Sequence, residues 1–456
     1  MKPLPYDLDV WVPLLRGGAS PVAVLDADDG ADAVGRAGAA LGPGERLALV
    51  GESAVGRADG LAPLEAALPR DACIERFVAF PGTGGGYVLV PTASAATVRG
   101  GLPLLPSGRA RWRVARIGLE ALAPLGVVRR LGLTELALVT RGASRAQADA
   151  LVADAEHIAL AAGVPDARQK LVARVLTESG APRAIYKIGL RAGSHGAVRD
   201  ERRALDRIAE LAPELAPRLL DRGERDGVPW FAAEVLDGQR STDVVTELHI
   251  EFLRRLAQCS LGAQPVAGHP LLGRAGEALT RLAAQGDDEW LQDFAGLHAL
   301  LTADQSPLAT APAHGDFTPW NLAVARDGMR AFDWEAQLEA APLLFDLFHF
   351  HIQTGVLVHR RDGADLFASL GELLEGAARP LLELGRMDGP AVLRALGLYI
   401  LHSATRDEEV HRARPAPFVQ VGWQRRARRE IARRAVGCLR DRRVPWAGLP
   451  AFDAAA

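Results

Sequence analysis

Hydrophobic residues recur along this chain with two different periods, which predict strands and helices in different places. The apolar runs VAVLDA and RLALVG flank the amphipathic stretch ADAVGRAGAAL, which predicts strand, helix and strand over residues 22–50. The runs IERFVAF and YVLVP flank PGTGGG. This glycine run lacks the GK[ST] ending of a phosphate loop and enters a strand, so it predicts a hairpin turn.

A second strand-rich stretch begins near residue 168. QKLVARVL and RAIYKIG flank the turn TESGAP and predict a β-hairpin, in which alternation places Lys187 and Tyr186 on opposite faces. A helix over 197–212 and a strand in WFAAEVL follow. The rest of the chain has apolar residues at helical spacing, interrupted over 310–335.

These patterns predict an α+β chain with five segments. We expect a small α/β domain at residues 1–105, a helical connector at 106–164, a sheet-containing lobe at 165–240, a helical lobe at 241–445 and a tail at 446–456. In the connector, RARWRVARIGLEALAPLGVVRRLGL places arginines opposite apolar residues.

Composition narrows the class of protein. The formal net charge of −3 gives no general attraction to nucleic acid or anionic lipid, and three distant cysteines exclude a disulfide framework. We find no signal peptide and no apolar run of about 20 residues, so a cytoplasmic protein without a membrane or nucleic-acid partner is expected. The nine arginines between Arg425 and Arg443 share their helix with acidic residues and an apolar stripe, which favours a terminal surface helix.

The segment APAHGDFTPWNLAVARDGMRAFDWE contains the candidate chemistry. Asp316 of the His-Gly-Asp triplet is followed by Asn321, and Asp333 follows after a turn and a short strand. Phosphoryl transfer needs a carboxylate that accepts or orients the acceptor hydroxyl proton, with an amide oxygen and a second carboxylate on Mg²⁺. The spacing lets a loop present Asp316 and Asn321 together, while the strand returns Asp333 beside them.

Lysine is rare in this sequence, with three residues against fifty arginines, so Lys187 on a predicted strand is a candidate phosphate contact. Glu201, near the start of the following helix, is the candidate partner that holds this lysine extended, and Asp200 is its competitor.

The string HGDFTPWN, followed by FDWE, resembles the aminoglycoside phosphotransferase and choline kinase family over about residues 165–445. The resemblance implies a protein-kinase-like, two-lobed domain that binds ATP, or GTP, with Mg²⁺ and phosphorylates a small-molecule hydroxyl acceptor. The acceptor would be an amino sugar, an amino alcohol or a related metabolite. A catalytically weak or inactive binding module on the same scaffold is the alternative, and the oligomeric state is left open.

The resemblance also implies roles for individual residues. Asp316 becomes the catalytic base, Asn321 and Asp333 become magnesium ligands, and Lys187 and Glu201 become the phosphate-contacting pair. Backbone groups of Glu234, Val235 and Leu236 would contact the adenine, as in a hinge. Glu335 would touch the metal or fix the loop, His314 would support the loop by packing and hydrogen bonding, and Asp346 would be structural.

Three further expectations complete the sequence picture. The turn Thr177–Pro182 is taken as the phosphate flap and departs from a glycine-rich pattern, with Glu178 in it. The N-terminal unit is similar to the later half of a class I methyltransferase domain but lacks a GxGxG loop, so an accessory role is expected. Acidic residues of the helical lobe suit either a cationic acceptor or a solvated helix face: Glu339, Asp362, Asp365, Asp407, Glu408 and Glu409.

Overall fold

The computed structural model describes residues 7–8, 12, 15, 23–26, 29–42, 45–52, 61–82, 85–105, 110–126, 128, 134–141, 151–152, 157–286, 289–412 and 419–452. It is an α+β protein, as the sequence predicts. The chain divides into two compact units. The first contains Met1–Arg199 and Leu219–Val235, and the second contains Asp200–Arg218 and Leu236–Ala456.

A ten-stranded sheet forms the first unit, in the order β1-β2-β5-β3-β4-β6-β7-β8-β10-β9. Only β1 and β2 are parallel; every other pair of neighbours is antiparallel. The strands are β1 (Ala23–Asp26), β2 (Arg46–Glu52), β3 (Ala72–Pro81), β4 (Tyr87–Pro91), β5 (Thr134–Arg141), β6 (His157–Ala162), β7 (Leu171–Leu176), β8 (Pro182–Ile188), β9 (Leu219–Arg225) and β10 (Val228–Ala233).

Helices cover parts of this sheet. They are α1 (Gly30–Ala40), α2 (Ala62–Glu65), α3 (Ala95–Gly101), α4 (Ala110–Leu122) and α5 (Ala192–Leu211), of which α5 runs into the second unit. The predicted β1-α1-β2 order and the β3-β4 and β7-β8 hairpins are confirmed. The predicted alternation on β8 is also confirmed, because Tyr186 and Ile188 pack into the hydrophobic core of the sheet.

The N-terminal strands and the strands around Lys187 belong to one sheet. Strand β4 pairs with β6, with Leu89 opposite Leu160, and one hydrophobic cluster runs along a single face from Leu136 through Leu160 to Trp230. The structure therefore shows no break at residue 105. The domain boundaries stay predictions, but the expected helical connector at 106–164 differs from the structure, which has strands β5 and β6 after helix α4.

The glycine run PGTGGG has a packing role in this arrangement. A Cβ on Gly86 would lie 2.3 Å from the carbonyl oxygen of Ala162 and 2.5 Å from that of Gly163, so only glycine lets the β3-β4 turn approach the end of β6. This is the hairpin turn that the sequence predicts, with the Gly82 N–H donating to the Gly86 carbonyl at 2.8 Å.

Replacing Gly86 by alanine is expected to lower the free energy of unfolding by about 2 kcal/mol, because the added methyl group meets backbone that cannot move aside. Thermal unfolding of the full chain measures this as a loss of several degrees in Tm. Gly163→Ala is the matched control, since its Cβ meets no atom within 4 Å. Equal Tm values for the two variants would contradict the close packing of β4 and β6.

The second unit is mainly helical. Its helices are α6 (Glu247–Gln258), α7 (Pro270–Ala284), α8 (Glu289–Thr302), α9 (Phe345–Leu357), α10 (Gly363–Glu375), α11 (Arg379–Leu384), α12 (Gly389–Arg412) and α13 (Val419–Asp441). Two small antiparallel sheets interrupt them, in the orders β11-β14-β15 and β12-β13-β16. Their strands are β11 (Gln239–Arg240), β12 (Gly262–Pro265), β13 (Pro307–Ala313), β14 (Leu322–Ala325), β15 (Gly328–Ala331) and β16 (Leu338–Pro342).

Several arginines of α13 bind carboxylates of the same chain. Arg425 pairs with Glu408, Arg429 with Asp293 at 2.5 Å, and Arg434 with Glu430 at 2.8 Å. The first two pairs join α13 to α12 and α8, so the helix is part of the helical packing. Across the described residues, no helix combines the length and the apolar character needed to cross a membrane.

Candidate active site

The loop that follows β13 is held from below by one buried carboxylate. Asp346, at the start of α9, accepts the backbone N–H of His314 at 2.6 Å and that of Gly315 at 2.9 Å. Burial raises the pKa of the Asp346 carboxyl, and the two N–H donors oppose this rise. One side chain thus fixes the backbone of two successive loop residues.

Gly315 is required by the geometry of this loop. Its φ is +82°, and a Cβ on it would lie 1.9 Å from the carbonyl oxygen of Ala336. No other residue type fits so close a backbone contact at a left-handed φ. The loop therefore lies tightly against the Trp334–Ala336 turn that follows Asp333.

His314 joins the two ends of the same segment. Its Nδ1 accepts the Asp316 N–H at 3.2 Å, and its Nε2–H donates to the Phe332 carbonyl at 2.9 Å. The ring is buried against Trp334, and burial lowers its pKa, so the imidazole is neutral near pH 7. His314 therefore connects the loop backbone at Asp316 to the backbone at Phe332.

The carboxylate of Asp316 receives a side-chain donor on each oxygen. The Asn321 Nδ2 group donates to Oδ2 at 3.0 Å and also to the Asp316 carbonyl at 3.0 Å. His349 Nε2 lies 2.9 Å from Oδ1. The Asp316 side chain is nevertheless 43% exposed. The two donors therefore orient the carboxylate, and its exposed part can meet a reactant.

The hairpin of β14 and β15 brings Asn321 beside Asp333. Leu322 pairs with Ala331, and the Phe332 N–H donates to the Asn321 carbonyl at 3.0 Å, so Asn321 and Asp333 follow at the same end of the ladder. Asp333 has φ of +64°, a left-handed value that aspartate adopts more readily than most residues other than glycine. Glu335 lies in the next turn and is half-buried.

The two charged residues expected to bind the nucleotide phosphates are both buried. Lys187 is on β8 in the first unit, opposite Phe231 of β10, and is 8% exposed. Glu201 is on α5 in the second unit and is 2% exposed, whereas Asp200 pairs with Arg203 on the surface. Burial thus favours Glu201 over Asp200.

The expected hinge residues Glu234, Val235 and Leu236 follow β10 and are half-buried. The chain leaves the first unit between Val235 and Leu236.

The turn Thr177–Pro182 differs from the expected phosphate flap. It joins β7 to β8, the second and third strands of the run β6-β7-β8, and Gly180 packs against α3, where its Cβ would lie 2.3 Å from the Ala96 carbonyl oxygen. The first connection of this run is Gly163–Lys170. The sequence interpretation missed strand β6 and therefore did not consider this connection.

His349 is the residue that the sequence interpretation missed. It has no metal-type spacing to other histidines and lies outside the catalytic segment in sequence, yet it contacts Asp316. The sequence pattern that could have identified His349 is its spacing of three residues from Asp346. Residues three apart on a helix share a face, so the face of α9 that binds the loop backbone through Asp346 also presents His349.

The acidic residues considered for a cationic acceptor mostly have partners within the chain. Glu408 is 2% exposed and pairs with Arg412 at 2.8 Å, and Glu409 pairs with Arg281 at 2.8 Å. The other contacts are Asp407 with Arg428 at 2.6 Å, Glu339 with Arg207 at 2.5 Å, and Asp362 with the Asp365 N–H at 2.9 Å. These contacts give no support to a preference for a cationic acceptor.

The model of the phosphotransferase enzyme family matches residues 163–361, which include the motif residues from Lys187 to Asp346. The match shows that residues 163–361 are similar to the phosphotransferase enzyme family, and it covers less than half of the chain. The matched segment begins at the end of β6 and runs to the residues just before α10. A search of the curated proteins finds none that matches the chain.

Three solved structures that are similar to this chain are described next. A proposed fructosamine-3-kinase from Haemophilus somnus is 13% identical, with a TM-score of 0.38, covering 59% of this chain and 87% of its own. A GDP complex of aminoglycoside 2'-phosphotransferase-IIIa is 13% identical, with a TM-score of 0.39 and coverages of 62% and 93%.

The third structure is an aminoglycoside phosphotransferase from Streptomyces rimosus with ADP and streptomycin. It is 17% identical, with a TM-score of 0.34 and coverages of 51% and 90%. At these TM-scores the three similarities add no argument to the family match.

Proposed function

We propose that this protein transfers the γ-phosphate of ATP, or GTP, to a hydroxyl group of a small molecule, with Asp316 as the base. The observation that supports this best is the arrangement of Asp316 and Asn321. The amide nitrogen of Asn321 binds the carboxylate, which leaves the amide oxygen for another ligand, and Asp333 follows the same end of the hairpin. A base and two oxygen ligands on one short segment are what phosphoryl transfer requires.

The reaction conserves atoms and charge in a simple way. The acceptor hydroxyl gives its proton to the Asp316 carboxylate, and its oxygen forms the new P–O bond with the γ-phosphorus. The bond between that phosphorus and the β,γ-bridging oxygen breaks, and the nucleoside diphosphate leaves with the electron pair. Positioning does most of this catalytic work.

The donor set of the second unit fits Mg²⁺. A carboxylate can only accept hydrogen bonds, so the Asn321 NH₂ group must face Asp316 and its Oδ1 is the atom for a cation. Asp333 would supply the second oxygen, and Glu335 would touch the metal or fix the turn. Mg²⁺ is commonly bound by one or two carboxylates together with substrate phosphates. When bound, it neutralises charge on the transferring phosphate.

Nucleotide contacts are proposed for residues of the family pattern. Lys187 would contact the phosphates, with Glu201 as its partner, and the backbone of Glu234, Val235 and Leu236 would contact the adenine. The burial of Lys187 and Glu201 supports this choice, because buried charged side chains need partners. The connection Gly163–Lys170, rather than Thr177–Pro182, would cover the phosphates.

The acceptor is proposed as a hydroxylated small molecule, among which amino sugars, amino alcohols and related metabolites are the first candidates. The full-length protein should be incubated with Mg-ATP or Mg-GTP and a panel of aminoglycosides, ketosamines, amino alcohols and neutral sugars. We expect acceptor-dependent release of nucleoside diphosphate and a new phosphate ester in ³¹P NMR, both abolished by EDTA. Release that is equal with and without every acceptor would contradict the proposal.

A further inference from the structure

One face of helix α9 holds both the backbone and the side chain of the candidate base. Asp346 binds the N–H groups of His314 and Gly315, and one turn later His349 contacts Oδ1 of Asp316 at 2.9 Å. The His349 side chain is 8% exposed, so this contact is shielded from water. A single helix face therefore determines where the Asp316 carboxylate lies.

The partners of His349 indicate which of its nitrogens has the proton. An ionised carboxylate can only accept, so Nε2 must donate to Asp316. On the opposite side of the ring, Nδ1 lies 3.4 Å from the hydroxyl of Tyr399, a fully buried residue of α12. The phenol can donate to Nδ1, and burial raises the pKa of Tyr399, which keeps it protonated. Together these contacts place a proton on Nε2 and hold the ring on both sides.

We propose that His349 is a positioning residue for Asp316 and that Tyr399 holds the His349 ring in place from its Nδ1 side. Asn321 donates to Oδ2 and His349 donates to Oδ1, so the two donors together fix the rotation of the carboxylate plane. Each carboxylate oxygen keeps a second lone pair, which can accept the proton of the acceptor hydroxyl. The kinetic consequence of this inference rests on the proposed function, whereas the hydrogen bond itself does not.

The simpler explanation is that His349 only fills space in the helical core. The two explanations differ in what they require of a substitute. A core-filling role is satisfied by an apolar side chain of similar volume, whereas positioning needs an N–H donor at the same reach. Glutamine supplies such a donor and leucine does not.

The kinetic test compares His349→Gln with His349→Leu in the full-length protein, using the acceptor found in the screen. His349→Leu is expected to lower kcat about tenfold without changing the nucleotide KM, since a misplaced catalytic group loses rate rather than binding. His349→Gln is expected to recover most of that loss. His351→Leu is the matched control, because His351 lies on the same helix but bonds the Leu366 carbonyl at 3.1 Å.

A measurement without substrate tests the hydrogen bond directly. In a protein with ¹⁵N-labelled histidine, His349 is expected to give the Nε2–H tautomer with a downfield ring proton. That proton should disappear in Asp316→Ala, and it should exchange faster with water in Tyr399→Phe, where the ring loses its contact on the Nδ1 side. Tyr399→Phe removes one hydroxyl and keeps the ring, so this variant still tests the contact if His349→Leu does not fold.

The outcomes separate this inference from the proposed function. A normal kcat in His349→Leu, or a His349 ring protonated only on Nδ1, would overturn the positioning role while leaving phosphotransfer intact. Equal losses of kcat in His349→Gln and His349→Leu would also overturn it, in favour of core filling. If the wild-type protein transfers no phosphate, the proposed function fails, and the NMR experiment still decides whether His349 holds Asp316.

Discussion

Replacing Asp316 by asparagine is expected to lower kcat by about two to four orders of magnitude, the range that general-base catalysis contributes. The amide has nearly the same size as the carboxylate but cannot accept the acceptor proton. The nucleotide KM should change little, because Asp316 is bonded to Asn321 and His349 and is not proposed to contact the nucleotide. Steady-state assays with the acceptor from the screen measure both constants.

Asp327→Asn is the matched control for this substitution. Asp327 lies at the β14-β15 turn, a few residues from Asn321 in sequence, and pairs with Arg330 on the surface at 2.8 Å. Its replacement should leave kcat within about twofold, since surface ion pairs contribute little to stability. Loss of a general base lowers kcat by at least about a hundredfold. If Asp316→Asn kept more than a tenth of the wild-type kcat, Asp316 would therefore not be the base.

The second large effect is expected for Gly315→Ala. The added methyl group would overlap the Ala336 carbonyl oxygen, and alanine is strained at φ of +82°. Overpacking and backbone strain each cost about 1–3 kcal/mol, so the free energy of unfolding should fall by about 3 kcal/mol or more. Activity should be lost even in the folded fraction, because the loop must separate from the Trp334–Ala336 turn and Asp316 moves with it.

Thermal unfolding and the kinetic assay measure these two effects separately. Gly273→Ala is the control, because Gly273 lies within helix α7 and its Cβ would meet no atom within 4 Å. Alanine is the better helix former, so this variant should be as stable as the wild type or more stable. A Gly315→Ala protein with unchanged Tm and kcat would show that the loop tolerates a side chain and that its position is not fixed by Ala336.

The candidate site could be predicted from the sequence because most of it is local. His314, Asp316, Asn321 and Asp333 lie within one loop and one hairpin, and the turn between β14 and β15 is enough to bring them together. His349 is different, since its contact depends on how α9 packs beneath the loop. Only the three-residue spacing from Asp346 hints at that contact, and it has meaning only once Asp346 is known to bind the loop.

The fold was predictable where strands are neighbours in sequence and not where they are distant. The β3-β4 and β7-β8 hairpins follow from alternation and short turns. The pairing of β4 with β6 joins residues about 70 positions apart, and no local pattern specifies such a partner. Missing β6 also led to the expected helical connector, where the structure has strands. Gly86 and Gly180 must be glycines because a Cβ at either position would overlap backbone that is distant in sequence.

The pairing of β4 with β6 also has a consequence for synthesis on the ribosome. Leu89 of β4 leaves the ribosome well before its partner Leu160, and translation at about 5–20 residues per second separates them by about 4–14 seconds. During that interval β4 is an open sheet edge, which is a template for pairing with other chains. The nascent chain should therefore be most prone to aggregate, or to recruit a chaperone, just before residues 157–162 emerge.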